Sequence, residues 1–283
     1  MALRDETLGF IGCGMMGEAM VKGLLREDLV DPRQIVASHP RAERCLELEN
    51  RYGINVTDSN AEAAADSTFV VIAVKPQFLS EVVADLDGVL NMDATVLSVV
   101  AGATMARLES DLGVSRVVRV MPNTPAQIGR GISVWTATGS VDETGRKKVR
   151  VILSALGAEE YVIHEPELDM ATALSGTGPA YVFMFMEALI DAGVHMGFSR
   201  RVAEKLVFET VLGAAEFAKG EPDHLAKLRN QVTSPGGTSA AAQYQLERGR
   251  LRTVLSDAVW AAYHRCQQLG GTADADSNGH SLK

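Results

Sequence analysis

Residues 10–20 read Phe-Ile-Gly-Cys-Gly-Met-Met-Gly-Glu-Ala-Met, and the glycines at 12, 14 and 17 decide the fold class. A short apolar run, residues 8–11, stops at Gly12, and a helical pattern over residues 17–27 starts at Gly17. Three glycines at this spacing between strand and helix allow a tight turn, let the backbone approach a phosphate, and let the helix pack on the strand. The N–H groups free at such a helix start are anion donors. Gly12, Gly14 and Gly17, with Met15 and Met16 between them, are therefore expected to hold the pyrophosphate of a dinucleotide.

Outward from that turn, short Val-, Ile- and Leu-rich runs recur at residues 34–37, 69–74, 95–100 and 117–121, separated by segments long enough for helices. Runs of this kind are strands covered on both faces, which predicts an α/β fold with a Rossmann-type, doubly wound, mainly parallel sheet. Further strands are expected at 131–136 and 159–162 with a helix at 143–156 between them. In such sheets ligands gather beyond the carboxyl ends of the strands. The turns there become cofactor candidates: Ala73, Val74, Lys75 and Pro76; Ala101 and Gly102; and Asn123, held with Thr124 between two prolines. At the end of the second strand Ser38 stands where sites preferring NAD carry an acidic residue, and Arg41 follows it. A hydroxyl and a guanidinium suit a 2′-phosphate, so the expected cofactor is NADP, with NADPH preferred and NADH possible. Arg44 is divided between that role and an ordinary solvated place on the next helix.

After about residue 165 the β-branched runs disappear, and Ala, Leu, Met and Glu dominate residues 179–196, 200–219, 222–231, 235–248 and 250–269. This half is expected to be entirely helical, with Pro179, Pro222 and Pro235 at helix starts, where a missing N–H costs nothing. The division expected is a dinucleotide-binding domain at 1–164, a helical dimerisation and substrate domain at 165–269, and a disordered tail at 270–283. Residues 181–186 are apolar around the whole helical circumference, which leaves no face for water. That helix is expected against a partner subunit, the alternative being a central helix within one subunit. The weakly charged stretch 171–190 approaches the length of a membrane span, but Ser175, Gly176, Thr177, Gly178 and Pro179 interrupt it, so no membrane is expected.

The net charge, 27 − 36 = −9, repels nucleic acid and excludes a nucleic-acid partner. Cys13, Cys45 and Cys266 are few, odd in number and far apart, which points to a reducing, cytoplasmic compartment. Residues 1–7 carry charges of both signs and run straight into a strand, so no signal segment is expected. The six histidines lack metal-ligand spacing, so no metal is expected. In the turn formed by Ser234, Pro235, Gly236, Gly237 and Thr238, backbone N–H groups converge at a helix start and can receive a small carboxylate.

Together, FIGCGMMGEAM at 10–20, AVKPQ at 73–77, VMPNTPAQIG at 120–129, SGTGPAYVF at 175–183 and SPGGTSAAAQ at 234–243 resemble the signature set of the pyrroline-5-carboxylate reductases, in order, over residues 7–269. The resemblance implies a Rossmann-type domain, a helical domain that dimerises by interleaving, and often a ring of dimers. It implies hydride transfer from NAD(P)H to C5 of 1-pyrroline-5-carboxylate, giving L-proline in the last step of proline biosynthesis. It places Ser38 and Asn60 on the adenosine side of NADP, 73–76 and 101–102 on the nicotinamide side, and the Gly237 and Thr238 N–H groups on the substrate carboxylate. Ser175, Thr177, Ser234 and Gly236 are further candidates for the substrate pocket, and Thr238 for hydrogen bonding the ring nitrogen and protonating the nascent amine. Thr177 stands where Ser is usual, and 221–225 lacks the common His-Pro pair, which leaves a substrate contact from Glu221 open. A β-hydroxyacid dehydrogenase shares the fingerprint, yet its catalytic Lys has no counterpart in residues 171–196. A regulatory NADPH-binding protein without catalysis is the third reading, against which the intact 175–183 and 234–238 segments count.

Overall fold

The structure, a computed structural model, describes residues 3–270; the expected tail at 270–283 lies, but for Gly270, outside the described residues. Along the chain run β1 (Leu8–Ile11), α1 (Met15–Arg26), β2 (Ile35–Ser38), α2 (Ala42–Tyr52), β3 (Asn55–Thr57), α3 (Asn60–Ala65), β4 (Phe69–Ile72) and α4 (Leu79–Asp85). β5 (Thr95–Ser98), α5 (Met105–Leu112), β6 (Val117–Met121), β7 (Gly131–Ala137), α6 (Glu143–Ser154) and β8 (Gly157–Tyr161) complete the sheet-forming part. The strands join in one sheet of order β3-β2-β1-β4-β5-β6-β7-β8. β1 is parallel to both β2 and β4, and parallel pairing continues through β5 and β6. β7 then runs antiparallel to β6, and β8 parallel to β7.

β1, β4, β5 and β6 are buried at every residue, as apolar runs covered on both faces must be. The pleat sends alternate residues to opposite sides: Phe10, Val71, Leu97 and Val118 enter one core, and Ile11, Val70, Ile72 and Val117 the other. β6 also carries a charge into this interior. The Arg119 side chain is 3% exposed and pairs with Glu165 at 3.1 Å and Asp169 at 2.7 Å. Glu165 also accepts the Met105 N–H at 2.7 Å at the start of α5. This network fastens α7 (Glu167–Ala171) to the sheet.

A π-helical turn, Thr172–Gly176, leads from α7 to α8 (Gly178–His195), followed by α9 (Arg200–Gly220), α10 (Leu225–Gln231), α11 (Thr238–Arg248) and α12 (Leu251–Leu269). By packing, one compact unit holds the chain up to Thr177 and again from Ala262, and the other holds Gly178–Ala261. The division by packing thus falls later than the division by texture at 164/165, because the Arg119 network holds the first helical turns on the sheet.

Within the second unit α8 and α9 meet through small residues: a Cβ on Gly193 would lie 3.1 Å from that of Ala203. Beyond Ile190, Gly193, Ala203 and Leu228, little of this unit is buried. Phe183 is 62% exposed, Met184 73% and Phe208 50%. The continuous helical stretch Glu167–His195 is long and apolar enough to cross a membrane by length and composition alone. It carries the π turn and, on α8, Glu187 and Asp191.

Several boundaries differ from those expected. α1 starts at Met15, so Gly17 lies inside the helix and not at its head. α10 starts at Leu225 because His224 caps it, its Nδ1 accepting the Ala226 N–H at 3.1 Å; Pro222 precedes the helix. α11 starts at Thr238, three residues after Pro235, since Gly236 takes a left-handed φ of 69° that ends any helical run. β3 was not expected; it is a three-residue strand at the sheet edge.

Candidate dinucleotide site

The strand order reverses direction at β1, with β2 and β4 on its two sides, and a crevice opens beyond the carboxyl ends of strands at such a switch point. Gly12 sits in it with a left-handed φ of 73°, and a Cβ there would come within 2.2 Å of Val74 Cγ1. Only glycine satisfies both the turn and this close approach. Gly14 caps α1 without a side chain, so the first N–H groups of α1, starting at Met15, have no side-chain acceptor. Gly17 packs towards the sheet, where an added Cβ would be 3.5 Å from that of Ala73.

A cleft of about 530 Å³ opens here. Of the residues expected to bind cofactor, Gly12, Gly14, Asn60, Ala73, Val74 and Lys75 line it. Pro76, beginning a short 3-10 turn, adjoins Lys75. Met15 and Glu18 line a separate hollow of about 260 Å³ with Lys22 and Tyr52; Met16 is partly buried against the core.

Ser38 is fully buried at the end of β2. Its hydroxyl donates to Asn60 Oδ1 at 2.7 Å and accepts the Gly12 N–H at 3.3 Å. Asn60 Nδ2 donates to Asp85 Oδ2 at 2.8 Å. The two arginines separate cleanly. Arg44 is bound to Glu18 and, at 2.7 Å, to Glu47, so it serves the joint between α1 and α2. Arg41 is exposed at the head of α2 and makes no ion pair among the described residues. His39, between them and the cleft, is held below the usual histidine range by burial first and then by the charges of Arg41 and Arg44. Burial pushes Glu18 up, but hydrogen bonds from Arg44, Tyr52 and Arg51 outweigh it and hold the carboxyl below its ordinary value.

Other expected residues lie outside the cleft. Gly102 backs onto the end of α12, where an added Cβ would be 2.9 Å from the Leu269 carbonyl carbon; Ala101 precedes it after β5. Asn123 spends its amide on the protein: Nδ2 donates to the Ser175 carbonyl at 3.2 Å, and Oδ1 accepts the Ile132 N–H at 3.0 Å. The hydroxyls of Ser175 and Thr177 likewise donate backwards, to the carbonyls of Ala171 at 2.9 Å and Thr172 at 3.0 Å. These hydroxyls shape the π turn instead of capping α8.

In the helical unit, Gly237 caps α11 and its N–H donates to the Ser234 carbonyl at 3.0 Å, closing the turn around Gly236. A Cβ on Gly237 would meet Ser234 Oγ at 2.4 Å, a contact that rotation of the serine relieves, and the φ of −78° suits any residue, so the turn needs glycine at 236 and not at 237. No side chain caps α11, and Thr238 is exposed at its first position. The helix therefore begins with free N–H donors.

The residues that went unnoticed are Pro40, Asp58, Phe78, Glu81, Val82 and Asp85, which also line the cleft. No local pattern marks them; α4 places Glu81 and Asp85 one turn apart. Among the described residues no group of three or more His, Cys, Asp or Glu could hold a metal. The three cysteines are free and buried, and burial pushes the Cys13 thiol up to about 12.

Residues 7–102 match the family described as NADP oxidoreductase, coenzyme F420-dependent, and residues 165–269 match the pyrroline-5-carboxylate reductase dimerisation family. Switch point, glycine turn and cleft, joined in one chain to a dimerisation domain, define an oxidoreductase of the dinucleotide-binding class. Pyrroline-5-carboxylate reductases of Synechocystis sp. and Pisum sativum are 40% and 39% identical to it over 265 and 263 residues, covering 93% of this chain and 98% and 96% of theirs. The chain belongs to the pyrroline-5-carboxylate reductase family. The crystal structure of Plasmodium falciparum pyrroline carboxylate reductase with NADP bound superposes with a TM-score of 0.87 at 32% identity, covering 94% of this chain and 98% of that one.

Proposed function

We propose that this chain reduces 1-pyrroline-5-carboxylate to L-proline with NADPH, the last step of proline biosynthesis. Family membership supports the reaction, and one observation carries its assignment to residues: both places where the reading needs an anion have backbone N–H groups free to receive one. When bound, the reduced nicotinamide supplies the hydride that adds to C5 of the pyrroline ring.

The chain's own residues place and polarise. The N–H groups at the head of α1 hold the pyrophosphate, and the glycine at 12 keeps the backbone close. Arg41, exposed and without an ion pair among the described residues, is the cation for a 2′-phosphate, and the absence of a carboxylate at the end of β2 favours NADPH over NADH. The Thr238 N–H, free at the head of α11, is assigned to the substrate carboxylate, while the Gly237 N–H, already donated to the Ser234 carbonyl, shapes the turn with Ser234 and Gly236. The Thr238 hydroxyl bonds the ring nitrogen: hydride adding to C5 of the protonated imine turns the C=N electron pair into the amine's lone pair, to which Thr238 relays a proton from solvent. A protonated imine is already electrophilic, so orientation supplies most of the acceleration, on the order of 7 kcal/mol.

The exposed apolar surface of α8 and α9 is read as covered by a second copy, dimers assembling further into a ring. Glu187 and Asp191 on α8 favour that occupant over lipid. The net charge of −9 fits a protein that binds no nucleic acid, and three buried free thiols fit the cytoplasm.

Steady NADPH oxidation on adding 1-pyrroline-5-carboxylate, with proline formed in equal amount, is the expected result. No turnover with that substrate overturns the reading, and activity on a hydroxy acid instead points to a β-hydroxyacid dehydrogenase.

A further inference from the structure

The geometry points to Asp85 as a positioning residue of the dinucleotide cleft, acting through Asn60 and Ser38 on the first glycine of the turn; this rests on the cofactor reading above. Asp85 sits at the last position of α4 and lines the cleft. Asn60 is the first residue of α3, and Ser38 the last of β2. Three elements are thus joined in a single chain of hydrogen bonds ending on the Gly12 N–H.

The polarity of this chain is fixed from its outer end. An amide can present either its oxygen or its nitrogen to a neighbour, but an ionised carboxylate can only accept. With Asp85 Oδ2 at 2.8 Å, the nitrogen of Asn60 must face α4, which turns Oδ1 towards Ser38. The Ser38 hydroxyl owns one proton; with Oδ1 at 2.7 Å and the Phe10 carbonyl at 3.3 Å in reach it takes the shorter bond to Oδ1, and its oxygen receives the Gly12 N–H. With the amide reversed, the nitrogen would donate to Ser38, the hydroxyl proton would turn to the Phe10 carbonyl 3.3 Å away, and the oxygen beside Gly12 would face two N–H donors in place of one. Asp85 therefore secures the Gly12 turn in its cofactor-accepting form and leaves the second Nδ2 proton of Asn60 free for the cofactor. With its proton committed, Ser38 orients the turn, and the 2′-phosphate falls to Arg41.

The test is a double-mutant cycle on the full-length protein, with NADPH affinity read by fluorescence titration and kcat and KM by turnover. Asp85→Ala is expected to weaken NADPH binding roughly three- to tenfold, with kcat at saturating NADPH unchanged. Asp85→Asn keeps an acceptor oxygen and is expected to restore most of the affinity. In an Asn60→Ala background, Asp85→Ala is expected to add nothing, because its effect passes through that amide. Asp85 is exposed, so all these variants are expected to fold, with circular dichroism as the check. Unchanged affinity in Asp85→Ala, or additive losses in the double variant, overturns the inference while the cofactor reading stands. Failure of the parent protein to bind NADPH overturns both.

Discussion

The two units of this chain spend their apolar residues in opposite ways. In the sheet unit every residue of β1, β4, β5 and β6 is buried, so that part is a finished core. In the helical unit, α8 is the most apolar helix of the chain, yet Phe183, Met184 and Phe185 stand in the open. One region has its stability built in as a single subunit; the other carries apolar surface far beyond what a lone domain exposes without a partner. The position of an apolar residue in the sequence therefore means stability in the first region and assembly in the second.

The sharpest way to break this contrast is to substitute one residue in each region. Gly12→Ala forces a Cβ into Val74 at a backbone angle that side chains avoid, and is expected to abolish NADPH binding, by roughly a hundredfold or more, while the dimer persists. Calorimetric titration and sedimentation check the two halves of that statement. Thr238→Ala is expected to lower kcat by about a hundredfold with NADPH affinity intact, because it removes only a proton donor. An unchanged rate rejects the role given to this hydroxyl.

Arg119→Met leaves the partly buried Glu165 and Asp169 without their cation and is expected to destabilise the sheet unit by about 3 kcal/mol in denaturant unfolding. Phe183→Glu, on the exposed face of α8, is expected to shift the protein to monomer in sedimentation while leaving the sheet's circular dichroism in place. If instead Phe183→Glu unfolded the sheet and Arg119→Met dissociated the dimer, the contrast would be reversed.

The smallest effect concerns pH. Glu18 has a folded value below the ordinary 4.5, so its bonds to Arg44, Arg51 and Tyr52 contribute fully above that value and are lost as the pH falls through the folded one. Between neutral pH and about 4.5 the parent protein and Glu18→Gln are expected to differ by a constant amount, on the order of 1 kcal/mol, which shrinks at lower pH. A gap that widened in acid would contradict the sign.

What the sequence revealed, and what it hid, follows the same division between local and distant causes. β1 and β6 were readable to the residue because apolar runs buried on both faces need no partner to be recognised. β3 escaped because Asn55, Val56 and Thr57 are too few and too polar to form a run, and owe their strand to pairing with β2. At the site, the glycine turn was legible since its spacing carries the geometry. The separate fates of Arg41 and Arg44 were not, because the carboxylate that claims Arg44 lies on another helix, 26 residues away. The hydrogen bonds of Asn123 were hidden for a similar reason: its acceptor at Ser175 is 52 residues distant. The start of α11 was missed by three residues, since Gly236 and Gly237 override the proline that suggested an earlier one.

The chain leaves its nucleotide-binding part at Thr177 and rejoins it at Ala262, so the helical part is an insertion and not an appendage. An appendage can be exchanged between relatives at a single crossover. This one needs two junctions, both cut and both matched, before a foreign module could be grafted in its place. Any lineage or designer altering the assembly half must therefore preserve a pair of splice points, and the last helix belongs partly to each side of the second.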